Sequence, residues 1–254
     1  MRKRPKHVAH RAAAHKNETQ SIIKYMKRYL LLSIVTISLM SLAPKETVDL
    51  YPSVSKNVEA RTKEFDQIPE DRKKALKKLA LFIESKVKAG EKAELTFICT
   101  HNSRRSHIAQ IWAQTAAAYY GVPNVAAFSG GTEATAFNPH AIKAMEDAGF
   151  KITKVQDGTN PVYDVQFADN GATVKAFSKK YDDAKNPKSG FGAVMTCAQA
   201  DKNCPVVVGA AVRIATPYDD PKEFDGTAEE TAKYKERVEQ IGREILYAFS
   251  LIKV

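Results

Sequence analysis

LTFICTHNSRRSHIAQIW, residues 95–112, reads as a short β-prone strand, a polar loop and an apolar-striped helix in immediate succession. The strand is Leu95–Ile98 and the loop runs from Cys99 to Arg105. Ile108, Ile111 and Trp112 open a helical stripe that continues through Thr115 to Tyr119 and stops at Gly121. A loop this tight between strand and helix turns backbone N–H groups inward, and the helix adds the positive end of its dipole. Arg105 brings a planar fork that matches two oxygens of a tetrahedral oxyanion. The spacing Cys99-x5-Arg105-Ser106 therefore sets a thiol against an oxyanion. The positive field favours the thiolate, the attacking form. Ser106 can hydrogen-bond the sulfur, and Asn102 can hold the loop through its amide. Cys99 is the expected nucleophile, with Thr100, His101, Asn102, Ser103, Arg104 and Arg105 around the bound oxyanion.

Outward from this segment, strands and helices alternate. Val125–Phe128 reads as a strand closed by a Ser129-Gly130-Gly131 turn, and Asn138-Pro139 caps a helix through Ala148 with Gly149 as its stop. Residues 161–177 form two strands around Asp169-Asn170-Gly171, a hairpin signal. Phe191–Thr196 is a further strand, and Thr227–Leu251 a long final helix with Tyr234, Val238, Ile241, Ile245 and Phe249 on one side. The expected class is α/β in three layers, a mostly parallel sheet with helices on both faces, carrying an N-terminal extension and an extra helix. Ligands of such sheets bind at the carboxyl ends of strands, where the Cys99 loop sits. Tyr163, Phe167, Phe177 and Tyr181 read as sheet core, with a rim for an aromatic substrate as the alternative. Trp112 reads as a packing residue on the helix after the loop.

Upstream of residue 93 the chain is an extension. Its net charge of +10 is concentrated at the N-terminus: residues 1–28 hold nine Lys/Arg against one acid, eight of the ten net charges. That distribution excludes a basic binding face on the folded part, so no nucleic acid is expected as a partner. Residues 1–25 form a basic leader whose translation is open, with Met26 as an alternative start. Residues 26–43 contain YLLLSIVTISLMSLA (29–43), which is short for a spanning helix and resembles a secretory apolar region ending in a small-x-small site. An exported chain, periplasmic or tethered to a membrane through residues 29–43, is the expectation, with the cytoplasm as the alternative. Residues 44–68 read as an irregular linker and 69–92 as a helix preceding a domain at 93–254, with Pro69 in its first turn and Gly90 at its end. His7, His10 and His15 have no matching acid or cysteine set, so no metal is expected.

FICTHNSRRSHIAQIWA resembles the active-site segment of low-molecular-weight protein tyrosine phosphatases and of the thioredoxin-coupled arsenate reductases of the same fold, over about residues 93–254. The resemblance implies a phosphatase-like fold and an acid from an Asp-Pro loop late in the chain. Asp219-Asp220-Pro221 stands there, so Asp220 is the implied acid that protonates the leaving oxygen. His101 and Arg104 depart from the smaller residues common at their positions. The segment Met195-Thr-Cys197-Ala-Gln-Ala-Asp-Lys-Asn-Cys204-Pro205 resembles the one holding the second and third cysteines of those reductases, with the same six-residue separation.

All three cysteines of the chain, Cys99, Cys197 and Cys204, thus map onto a redox triad. The implied reaction is arsenate reduction by a disulfide relay, with no bound cofactor and an external dithiol such as thioredoxin as reductant. A segment between residues 197 and 204 that can move is part of that expectation. A permanent Cys197–Cys204 disulfide, natural in an oxidising compartment, would instead favour hydrolysis of phosphate monoesters through a phosphocysteine. A non-catalytic phosphate-binding module is the third reading. It needs neither Cys99 nor Asp220.

Overall fold

The computed structural model describes residues 48–203 and 206–254, and among them lie seven strands and six α-helices. The leader, the apolar segment at 26–43, Cys204 and Pro205 lie outside the described residues. Among the described residues no helix is long and apolar enough to cross a membrane.

The deciding stretch folds as read. Strand β1 (Ala93–Cys99) is almost wholly buried and delivers Cys99 at its carboxyl end. It pairs in parallel with β2 (Val125–Gly131) on one side and β6 (Phe191–Met195) on the other, and β6 pairs in parallel with β7 (Ala210–Ala215). The order is β2-β1-β6-β7, a parallel sheet with helices on both faces. Alternate residues of the strands feed two cores, as period-two geometry requires. Leu95, Phe97, Val194 and Ile214 join a large cluster with residues of α1 to α4 and α6. Ile98, Phe191, Ala193 and Met195 join a smaller one with Cys99, Cys197 and Ala200. The helices are α1 (Pro52–Thr62), α2 (Glu70–Lys88), α3 (Arg105–Tyr119), α4 (Pro139–Asp147), α5 (Ala198–Asn203) and α6 (Glu230–Ser250).

Several expectations change. The stretch read as a linker at 44–68 contains α1, whose Val54 and Val58 are fully buried in the main core. The loop expected between residues 197 and 204 contains the short helix α5. Ser129-Gly130-Gly131 is not a turn but the end of β2. α3 carries no simple stripe: twelve of its fifteen residues are buried, because β1, β2 and α6 all pack on it. The final helix begins at Glu230 rather than Thr227. A separate antiparallel sheet, β3-β4-β5, holds β3 (Lys151–Gln156), β4 (Val162–Gln166) and β5 (Val174–Ala176). Its β4–β5 pair is the hairpin read around Asp169-Asn170-Gly171. Trp112 is fully buried, edge-on to Phe150 at 5.3 Å between ring centroids. Phe167 is core, and Tyr163 is partly buried against that core.

Candidate active site

Residues 99–105 leave the end of β1 and enter the first turn of α3. Their carbonyls are held from outside. Thr132 N–H donates to Cys99 O at 3.1 Å, Glu133 N–H to Thr100 O at 2.8 Å and Asn138 N–H to Ser103 O at 2.9 Å. The hydroxyls of Thr135 and Ser178 both donate to His101 O, at 3.1 and 3.0 Å. Turning the carbonyls outward leaves the loop's N–H groups for the concave side, and Asn102, at φ +45°, supplies the left-handed residue such an anion nest needs. Gly131 makes the close approach possible. A Cβ there would lie 2.2 Å from Glu133 O, 2.6 Å from Thr100 O and 2.7 Å from Asn102 N.

One relay orients the thiol. Lys179 N–H donates to Asn102 Oδ1 at 2.8 Å, which fixes the amide so that Nδ2 donates to Ser106 Oγ, also at 2.8 Å. With a donor already on its oxygen, Ser106 has its own proton for Cys99 Sγ, 3.1 Å away. Asn102 and Ser106 are fully buried and Cys99 nearly so. Burial lowers the pKa of Lys179 to about 8. The neighbouring His107 is lowered to about 3, by burial first and by the Lys179 charge second.

Arg105 and Asp220, 115 residues apart, meet here. Arg105 donates from Nη2 to Asp220 Oδ2 at 2.6 Å and from Nη1 to Tyr218 O at 2.8 Å. The fork read from sequence as matched to an oxyanion thus also grips the acid loop. Asp220 caps a short 3-10 turn at Pro221–Phe224 by accepting from Lys222 N–H. Arg104 does not point a free charge into the cradle. It donates from Nε to Tyr234 Oη at 2.9 Å and pairs with Asp225 at 3.7 Å and Asp220 at 3.8 Å. His101 is half-buried, with Nε2 3.6 Å from Glu133. Ser103 is tied off through its hydroxyl to Ala136 O.

Cys197 follows β6 as Cys99 ends β1, and the pairing of Ile98 with Met195 sets the two strand ends side by side. Both thiols are free and buried. Cys197 Sγ lies 3.5 Å from Thr100 Oγ1, on the residue next to Cys99, and accepts from Ala200 N–H at 3.3 Å. Cys204 lies outside the described residues. Sequence reasoning missed Lys179, Tyr218, Asp225 and Tyr234, which act only through contacts made across the fold. Gly131 was legible as part of a Gly-Gly pair, but its steric role was not.

The model of low-molecular-weight phosphotyrosine protein phosphatase matches residues 94–164. An arsenate reductase of Bacillus licheniformis is 31% identical over 156 residues, 61% of this chain and 93% of that protein. One from Bacillus subtilis is 30% identical over 150 residues, 59% of this chain and 89% of that protein. Among solved structures, a thioredoxin-dependent arsenate reductase of Corynebacterium glutamicum superposes with a TM-score of 0.36 at 19% identity, covering 68% of this chain and 71% of that one. The strand–loop–helix with its buried thiol agrees with the family match and the two Bacillus arsenate reductases: the chain belongs to the low-molecular-weight phosphotyrosine phosphatase family that includes such arsenate reductases, and it is a cysteine-dependent enzyme.

Proposed function

We propose that the protein reduces arsenate by a thiol relay from Cys99 to Cys197 to Cys204. The observation that carries this reading is the second free thiol, Cys197, 3.5 Å from the hydroxyl of the residue next to the nucleophile. Cys99 thiolate attacks arsenic and displaces an oxygen, which Asp220 protonates so that it leaves as water. Cys197 thiolate then attacks Cys99 Sγ. The S–S bond forms as the As–S bond breaks, and its electron pair stays on arsenic, which leaves as arsenite. Cys204 thiolate attacks Cys197 Sγ, freeing Cys99 and moving the disulfide to Cys197–Cys204. An external dithiol such as thioredoxin reduces it. The third step requires the segment between residues 197 and 204 to move.

The same Asp220, held by Arg105 at 2.6 Å, serves a second reading as well. A placed acid is what a phosphate monoester needs to lose its alkoxide, so a phosphocysteine at Cys99 hydrolysed by water is the competing outcome. Turnover of arsenate and of p-nitrophenyl phosphate, with a thioredoxin system present, separates the two. The relay predicts arsenate turnover that Cys197→Ser abolishes, with any aryl phosphate hydrolysis retained. No arsenate turnover by the parent protein rejects the reductase, and activity undiminished by Cys99→Ser rejects both readings.

A further inference from the structure

The helix α2 precedes the segment that the family model matches, yet it reaches the acid loop. Arg72, in its first turn, donates from Nη2 to Pro217 O at 2.5 Å. The guanidinium stands 5.1 Å above the Tyr218 ring, and its Nε lies 3.5 Å from Glu244 Oε2 on α6. Tyr218 is the residue whose carbonyl accepts from Arg105, and Asp220, two residues on, accepts from the same guanidinium. The acid loop therefore has two arginine clamps, Arg105 from the oxyanion loop and Arg72 from outside the matched segment.

Three further observations make the second clamp a firm one. Leu76, Leu79 and Ile83 of α2 are fully buried in the main core, so the helix that carries Arg72 is anchored. Glu244 is 2% exposed, and Gln240 Nε2 donates to its Oε1 at 3.3 Å. Burial raises its pKa, and the Arg72 charge opposes that rise. Tyr218 is itself buried and bonded back to the sheet through its N–H to Thr196 O at 3.1 Å. Pro217 and Tyr218 thus lie between a fixed strand end and a fixed helix, and Arg72 closes the gap.

We propose that Arg72 is a positioning residue that holds the Pro217–Asp220 loop so that Asp220 faces the Cys99 cradle. The inference rests on the reading of Asp220 as the acid, and it extends the reaction machinery into the N-terminal helix. Arg72 touches no reacting atom; it acts through Asp220. Its effect through Asp220 falls on turnover, and that effect vanishes when Asp220 can no longer donate a proton.

The test is a double-mutant cycle on the full chain, read as kcat and KM for arsenate or p-nitrophenyl phosphate, whichever the parent turns over. Arg72→Met alone would leave Glu244 buried and unpaired, so Arg72→Met is combined with Glu244→Gln, and the melting temperature is measured alongside. The expected result is an approximately tenfold fall in kcat, KM within about twofold, and a folded protein. This is a fraction of the roughly 10²–10⁴-fold that a general acid contributes. In an Asp220→Asn background, the same pair should change kcat less than about twofold, because residues acting through one group are not additive. An unchanged kcat in the parent background, or an equal loss on top of Asp220→Asn, overturns the proposal. Asp220→Asn with full activity overturns the acid reading itself, and turnover of neither substrate by the parent removes both.

Discussion

His107 shows how far burial at the site bends ordinary residue chemistry. It stands two positions after Arg105, fully buried, with its ring 4.4 Å from that of Phe137 and Nδ1 3.2 Å from Ser129 Oγ. Its pKa is lowered from 6.5 to about 3, chiefly by burial. The unfolded chain takes up a proton at this residue as pH falls through 6.5, and the folded chain does not until near pH 3. His107 therefore costs no stability above pH 6.5 and progressively more as pH falls towards 3, at up to about 1.4 kcal/mol per pH unit. Urea unfolding at pH 7 and pH 5 should show the parent losing more stability than His107→Gln, which cannot titrate. Equal losses in the two proteins would refute this. The same scale holds the site's main surprise. Arg104 and Arg105 are adjacent and both basic, yet one is bound to Tyr234 and Asp225 and the other to Asp220 and Tyr218. Residue type announced the charge; only packing chose its partners.

At the scale of elements, local rules and their limits separate cleanly. Helix α4 starts where its cap says it should. Asn138 Oδ1 accepts from His140 N–H at 2.9 Å and Ala141 N–H at 3.1 Å, and Pro139 fills the first position. Asn138→Ala should lower stability by about 1 kcal/mol while Asn138→Asp retains most of it. Calorimetry checks this, and a melting point unmoved by the alanine would mean the cap contributes nothing. The hairpin β4–β5 was legible for the same reason: Asn-Gly chemistry is local. Strand β3 was not, because Lys151–Gln156 is an exposed edge with no buried residue to impose alternation. Helix α5 was missed because six residues, four of them polar, carry no periodicity that distinguishes helix from loop.

At the scale of the whole molecule, residues 50–62 are part of the fold. Leu50 bridges Ala168, Tyr51 N–H donates to Phe167 O at 2.9 Å, and Arg61 pairs with Glu239 of α6 at 3.0 Å. Val58 is fully buried among residues of the main core. Val58→Ala should therefore cost about 2 kcal/mol, from lost burial and the cavity left behind. If α1 were a free linker, the variant would melt with the parent. The composition of 44–68 concealed this. Its two buried valines stand at i and i+4 on one helix face, a signal too short to outweigh the polar residues around it.

What the sequence determined by itself is the chemistry of one loop. A strand, seven residues and a helix are joined covalently, so the nest, the thiol, Ser106 and Asn102 must fall within a few ångströms of one another. The tertiary structure decided everything that crosses the chain. It brought Asp220 to Arg105 across 115 residues and Lys179 to Asn102 across 77. It set Cys197 beside Thr100 across 97 and Arg72 on Pro217 across 145. Spacing along a chain limits distance only over short separations. Over long ones, position depends on which strands pair and which faces bury, and those choices belong to the packed core as a whole.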